Sequence, residues 1–233
     1  MAQSQVMSSY WRGLRDATPF LLVVIPFAIL FGVIATEAGL TVFETLSFSV
    51  VVIAGAAQFT AIQLMTDNAP TIVVLVSALA VNLRMAMYSA SITPHLGPLP
   101  FWKRAIVGYF LVDQTYAASM LEFERQPQMS LVEKFGYFLG VATPVCIPWY
   151  FATLAGAYMG NIIPSNLGLD MVLPIAFLAM LGPALRTRAH ILAAFAATGL
   201  ALAFVWVPYN LGLILAGIGG MMVGAEAERR AAQ

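Results

Sequence analysis

Long apolar runs fill most of the chain, and short polar stretches separate them. A helix needs about 20 mostly apolar residues to cross the hydrocarbon core of a bilayer. The runs cover residues 17–38, 41–65, 70–93, 101–121, 135–159, 171–185 and 189–223. The last run is interrupted at residues 208–210 and is long enough for two short spans or for one span and an interfacial helix. The pattern predicts an all-α, polytopic membrane helical bundle with six to eight spanning segments.

Prolines inside the runs predict broken or kinked helices, because each proline removes a helical hydrogen bond. These prolines are Pro26, Pro144, Pro148, Pro174, Pro183 and Pro208. Pro144 and Pro148 stand close together, and we expect an unwound segment there.

The polar stretch 122–133 divides the chain into two halves, 17–121 and 135–223. Each half begins with a proline-bearing apolar run, at Pro26 and at Pro148, and each has a Gly-Leu pair before the next run. An internal repeat would explain this, although the shared composition of membrane helices could produce it alone. Duplicated halves are frequent in transporters, with the substrate site at their interface. We therefore expect residues 1–233 to form a single membrane transport domain.

Composition narrows the function classes. Hydrophobic residues make up 61% of the chain and charged residues only 9%, whereas a soluble domain carries about 25% charged residues. Much of the surface must therefore contact the lipid bilayer. The formal net charge is zero, so nothing indicates a nucleic-acid partner. The single cysteine, Cys146, excludes an internal disulfide and a cysteine-based zinc site.

Lys and Arg residues near the ends of the runs predict the orientation of the chain. If the N-terminus with Arg12 and Arg15 is cytoplasmic and there are eight spans, most loop and tail cations also fall inside, and only Lys103 and Arg104 fall outside. We expect both termini in the cytoplasm, in a bacterial inner or plasma membrane.

The first apolar run is too long for a cleaved signal peptide and is interpreted as a span. The charged stretch 122–134 is interpreted as a solvated cytoplasmic loop.

Two charged residues fall inside apolar runs. Arg84 lies in run 70–93 and Asp113 lies in run 101–121. An ionisable group at a helix centre costs about 2.5 to 3.5 kcal/mol on insertion scales and is normally paired or faces a cavity. At about 1.5 Å per residue, both side chains lie about 14 to 18 Å from the same membrane face. We predict a buried Arg84–Asp113 ion pair that binds solute, or a pair that only holds two helices in register.

A second cluster consists of Gly55, Ala56, Ala57 and Gln58. Its small residues allow a break in the helix, and the N–H groups of a broken helix can hold a carboxylate. The alternative is close helix packing, with Gln58 bonded to a neighbouring helix. We predict that Asn82 lines the same cavity.

Other chemistry has no motif in this sequence. There is no nucleotide-binding glycine loop, no zinc-protease motif and no nucleophile with a facing histidine, so the chain is not predicted to be an enzyme. His95 and His190 lie at segment ends, and no metal site or cofactor is predicted.

The order of these motifs is similar to that of the AzlC family of branched-chain amino acid permeases, over residues 10–225. The matching residues are Gly13, Pro19, Pro26-Phe27, Phe31-Gly32, Ala35, Gly39, Ala54-Gly55-Ala56-Ala57-Gln58-Phe59, Asn82-Leu83-Arg84, Tyr88-Ser89 and Asp113-Gln114-Thr115. The resemblance implies export of valine, leucine and isoleucine together with a small membrane subunit of the AzlD type. It also places the family motifs on Gly55–Gln58, Asn82, Arg84 and Asp113.

Two positions depart from the family pattern. Met85 stands where many members carry His, and Gln114 stands where many carry Glu. Both changes remove a titratable group, so Asp113 alone is left for a coupling role.

The residues and the resemblance together predict an exporter of branched-chain amino acids, extending to methionine, that works by alternating access. In this hypothesis the substrate carboxylate binds Arg84 or the broken helix at Gly55–Gln58. Asp113 meets the substrate ammonium or, when protonated, releases Arg84. The alternative is a solute-binding membrane subunit of a multi-component uptake system.

Overall fold

A computed structural model describes residues 2–160, 185, 187–207 and 211–231. All regular structure in these ranges is helical, as predicted. The helices are α1 (Ala2–Ala17), α2 (Leu21–Glu37), α3 (Val42–Val51), α4 (Gly55–Thr66), α5 (Thr71–Leu96), α6 (Phe101–Tyr109), α7 (Asp113–Arg125), α8 (Leu131–Gly160), α9 (Arg188–Ala203) and α10 (Leu211–Ala231).

Four helical stretches in the described part of the chain are long and apolar enough to cross a membrane. They are Gln5–Glu37, Thr71–Leu96, Leu131–Gly160 and Leu211–Ala231. The all-α membrane fold is therefore confirmed. The predicted run 171–185 lies almost entirely outside the described residues, as do Pro174, Pro183 and Pro208. The total of six to eight spans stays a prediction.

Two of the predicted runs are each divided into two half-helices. Residues 52–54 separate α3 from α4, and residues 110–112 separate α6 from α7. A continuous helix over 101–121 is therefore absent, whereas the expectation of broken helices is confirmed. The hydroxyl of Thr115 explains the second break, because its Oγ1 accepts the N–H of Val112 at 2.8 Å and donates to the carbonyl of Phe110 at 2.7 Å. These side-chain bonds satisfy backbone groups that a continuous helix would pair internally.

The unwound segment predicted at Pro144 and Pro148 is absent, because α8 runs through both prolines as one helix. Prolines are tolerated inside membrane helices where neighbouring groups satisfy the freed backbone. Helices α1 and α2 pack along α8 on either side of the prolines.

Residues 2–58 and 81–160 form one compact unit around α8. Glycines bring α2 into backbone contact with this helix. A Cβ atom on Gly32 would overlap the carbonyl oxygen of Thr153, and one on Gly156 would overlap that of Ile29. Membrane helices lack a hydrophobic driving force between them, so such close packing is a main source of their association.

A second compact unit consists of residues 59–80 with the C-terminal part of the chain, in which α9 and α10 pack together. Much of the predicted repeat half 135–223 lies outside the described residues. The repeat and the single domain stay predictions.

The charged stretch 122–134 is not simply a solvated loop, and that interpretation is wrong for Glu122. Its side chain is 5% exposed, and its carboxylate contacts Arg12 at 3.3 Å and Arg125 at 2.7 Å. The amide of Gln126 also donates to it at 2.7 Å. Glu122 raises the pKa of Arg125 by hydrogen bonding and by its charge. These contacts tie the polar N-terminal helix α1 to the end of α7.

Candidate functional site

Arg84 and Asp113 form the predicted ion pair. The Nη2 atom of Arg84, on α5, lies 3.1 Å from Oδ2 of Asp113, the first residue of α7. The Tyr88 hydroxyl donates to the other carboxylate oxygen at 3.0 Å. The two charged side chains are 30% and 34% exposed, so they are less buried than predicted. The reason is that Asp113 starts a half-helix beside a break instead of lying in the middle of a continuous span.

Tyrosines extend this contact along α5. The rings of Tyr88 and Tyr116 stack with their centroids 4.2 Å apart, and the Tyr116 hydroxyl donates to Ser91 at 2.9 Å. Residues 84, 88 and 91 share one face of a helix, and residues 113 and 116 share another. Sequence reasoning assigned a role in the site to neither tyrosine, because tyrosines are common in membrane helices and only their spatial neighbours distinguish them.

Two polar atoms of α5 are buried and unpartnered among the described residues. They are Nε of Arg84, in the ion pair, and Oδ1 of Asn82, two residues earlier. A buried polar group normally has a partner. The role predicted for Asn82 stays a prediction.

The break between α3 and α4 brings the start of α4 against aromatic rings. A Cβ atom on Gly55 would lie 3.0 Å from the rings of Phe27 and Trp149, so only glycine fits without displacement. The first N–H groups of any helix lack an intrahelical acceptor. Ala57 is buried and Ala56 is half-buried in this first turn. The predicted small-residue cluster therefore does begin a broken helix.

Gln58 is the centre of a buried polar cluster in the same place. Its Nε2 donates to Oγ of Ser49 at 3.1 Å, and Nε1 of Trp149 donates to the same oxygen at 3.3 Å. Ser49 also exchanges a hydrogen bond with Thr153 at 3.2 Å. The amide nitrogen of Gln58 thus makes the hydrogen bond to a neighbouring helix that the packing alternative predicted. Oε1 of Gln58, however, is buried and has no partner among the described residues.

A phenol hydroxyl connects the two breaks. Tyr109, the last residue of α6, donates to the carbonyl of Val50 in the last turn of α3 at 2.6 Å. The same hydroxyl lies 2.9 Å from that of Tyr150 on α8. Sequence reasoning missed this contact, because tyrosines in apolar runs are ordinary core and interface residues.

One apolar core borders both polar clusters. Phe27, Ile53, Tyr88, Tyr116 and Trp149 all belong to it. Such a surface suits the aliphatic side chain of an amino acid, while the polar groups at its edge suit the ammonium and carboxylate groups. In the described part of the chain, no group of His, Cys, Asp and Glu side chains could hold a metal ion.

Comparison with known protein families gives a match to the AzlC protein family over residues 19–163. This range includes both breaks and both polar clusters. The chain belongs to the AzlC family. The resemblance noted in the sequence is therefore confirmed.

The relatives of this AzlC chain are membrane proteins. It is 25% identical to the inner membrane protein YgaZ of Escherichia coli over 66% of this chain and 62% of that protein's length. It is 29% identical to an uncharacterized membrane protein of Archaeoglobus fulgidus, over 91% of this chain and 92% of the relative. An uncharacterized membrane protein of Helicobacter pylori is 25% identical over 75% of this chain and 76% of the relative. No solved structure matches significantly.

The family and the relatives support a multi-pass membrane protein of permease type.

Proposed function

We propose that this AzlC protein exports branched-chain amino acids, and methionine with them, by alternating access. One observation carries the proposal. The break between α6 and α7 lies at the Arg84–Asp113 ion pair, and the break between α3 and α4 lies at the buried Gln58. Both places border one apolar core. A zwitterion with an aliphatic side chain has matching chemistry.

In the mechanism that we propose, Arg84 receives the substrate carboxylate. Asp113 holds the guanidinium, and the Tyr88 hydroxyl in turn donates to Asp113. Protonation of Asp113 removes its charge and releases Arg84 towards the substrate, which couples proton movement to transport. The N–H groups at Gly55 and Ala57 stabilise the carboxylate through the positive end of α4.

Selectivity among aliphatic substrates should be broad. An apolar pocket separates side chains that differ by one methylene by only about 1 to 3 kcal/mol. Valine, leucine, isoleucine and methionine should therefore all be substrates.

The resemblance also supports three further parts of the proposal. The chain works with a small membrane subunit of the AzlD type, lies in the bacterial cell membrane, and has both termini in the cytoplasm. The Lys and Arg distribution gives independent support for this orientation.

The experiment is efflux of valine from cells that express the chain with its small subunit. Arg84→Ala should abolish saturable efflux at normal protein level, because it removes the carboxylate partner. Arg15→Ala is the matched control, since the Arg15 side chain is 84% exposed and 3.9 Å from its nearest carboxylate. It should leave efflux unchanged.

Full valine efflux by Arg84→Ala would remove Arg84 from the site and overturn this mechanism. ATP-dependent uptake of valine by the wild type, without efflux, would instead support the multi-component uptake alternative.

A further inference from the structure

The cluster around Gln58 contains two residues, Ser49 and Trp149, to which neither the sequence motifs nor the family match assigns a role. Both contribute to one small network on α3, α4 and α8. Ser49, Gln58 and Thr153 are 0% exposed and Trp149 is 7% exposed. Bulk water therefore does not reach the network in this conformation.

In the structure the Gln58 amide turns its nitrogen towards Ser49. An indole N–H can only donate, and Trp149 donates to Oγ of Ser49. Gln58 donates its Nε2–H to the same oxygen, and the Ser49 hydroxyl pairs with Thr153. The hydrogen-bonding capacity of Ser49 is then filled. The carbonyl oxygen of Gln58 remains without a donor in the described part of the chain.

A buried acceptor without a donor is unfavourable, so a ligand that offers an N–H donor would stabilise Oε1. Asp113 already accepts from Arg84 and Tyr88, so its oxygens have donors in this conformation. Oε1 of Gln58, in contrast, has no donor among the described residues.

We infer that Oε1 of Gln58 binds the ammonium group of the amino acid substrate, and that Ser49 and Trp149 are positioning residues that hold the amide in the required direction. This inference rests on the proposed function. It separates the roles at the site: Gln58 recognises the ammonium, and Arg84 recognises the carboxylate.

The test compares valine with 3-methylbutanoate, which is valine without its ammonium group. Both are measured as competitors of labelled valine transport in proteoliposomes that contain the wild-type chain with its small subunit. A hydrogen bond to a charged group contributes about 1.5 to 3 kcal/mol, or roughly 10- to 100-fold in affinity. We expect the wild type to prefer valine by at least about tenfold.

Ser49→Ala and Trp149→Phe should each weaken valine binding about tenfold and leave 3-methylbutanoate binding unchanged. A merely structural role would lower protein level or weaken both competitors equally. Ser119→Ala is the matched control, since the Ser119 hydroxyl is also 0% exposed and unpartnered among the described residues. It should keep the preference of the wild type.

Two results would overturn the inference while leaving the proposed function intact. One is an unchanged preference in both variants. The other is weaker binding of valine and 3-methylbutanoate with unchanged binding of 2-methylpropan-1-amine, which is valine without its carboxylate, because the amide nitrogen would then face the substrate carboxylate. Absence of saturable valine transport in the wild type would instead overturn the proposed function.

Discussion

Arg84 and Asp113 stabilise each other's charge within helices that contribute to a membrane bundle. Their 3.1 Å contact matters because either group alone would be a charge without a counterion in a region of low dielectric. The cost of losing one partner should exceed the cost of losing both, since replacing a whole ion pair by apolar residues is often nearly neutral.

This argument predicts a non-additive pair of variants. Arg84→Met and Asp113→Leu should each destabilise the protein by about 1 to 3 kcal/mol, less than for a fully buried pair because both side chains are partly exposed. The double variant should be more stable than at least one single variant. Thermal unfolding in detergent, followed by size-exclusion chromatography, measures this, and additive losses would show that the two charges are independent.

At the residue scale, the charged residues of the candidate site could be predicted from the sequence, whereas its hydroxyl-bearing and aromatic residues could not. Arg84 and Asp113 were predictable because a charge inside an apolar run is rare. Ser49, Tyr88 and Trp149 were not, because hydroxyl and aromatic side chains are common in membrane helices and only their spatial neighbours distinguish them.

The elements of the bundle depend on glycines where backbones meet. Gly156 faces the backbone of Ile29, whereas Gly108, on α6, has open space where its Cβ would lie. The same substitution should therefore act in opposite directions at the two positions.

Gly156→Ala should destabilise the protein by about 1 to 3 kcal/mol through overpacking, because the added methyl group must push α2 away from α8. Gly108→Ala should be neutral or stabilise by about 0.5 to 1 kcal/mol, the gain expected inside a helix. Thermal unfolding of the two variants side by side measures both effects. An equal loss of stability in both variants would mean that α2 and α8 pack less closely than in the structure.

Helix existence could be predicted from the sequence, but helix continuity could not. The apolar runs identified the long helices because length and hydropathy dictate them. The break at residues 110–112 depends on one hydroxyl, that of Thr115, which has no distinctive pattern. The prolines of α8 show the opposite error. A break was predicted there, but packing against α1 and α2 keeps the helix continuous.

At the scale of the whole molecule, charges near the ends of the chain predict its orientation in the membrane. Arg229 and Arg230 lie in the last turn of α10, and Arg12 and Arg15 lie in α1. Both sets favour the cytoplasmic side.

Reporter fusions check this orientation. Green fluorescent protein fused to the C-terminus should fluoresce, since it folds in the cytoplasm, and alkaline phosphatase fused there should be inactive. The reverse pattern would place an odd number of spans in the chain, provided that the N-terminus is cytoplasmic. A fusion after residue 104 should give the opposite result to the C-terminal fusion, and it serves as the internal control.

The hydroxyl of Tyr109 joins the ends of two half-helices that the chain could otherwise tilt separately. Any rocking of α3 must either stretch this 2.6 Å bond or carry α6 with it. In the transport mechanism that we propose, this single hydrogen bond would make the two interruptions move together.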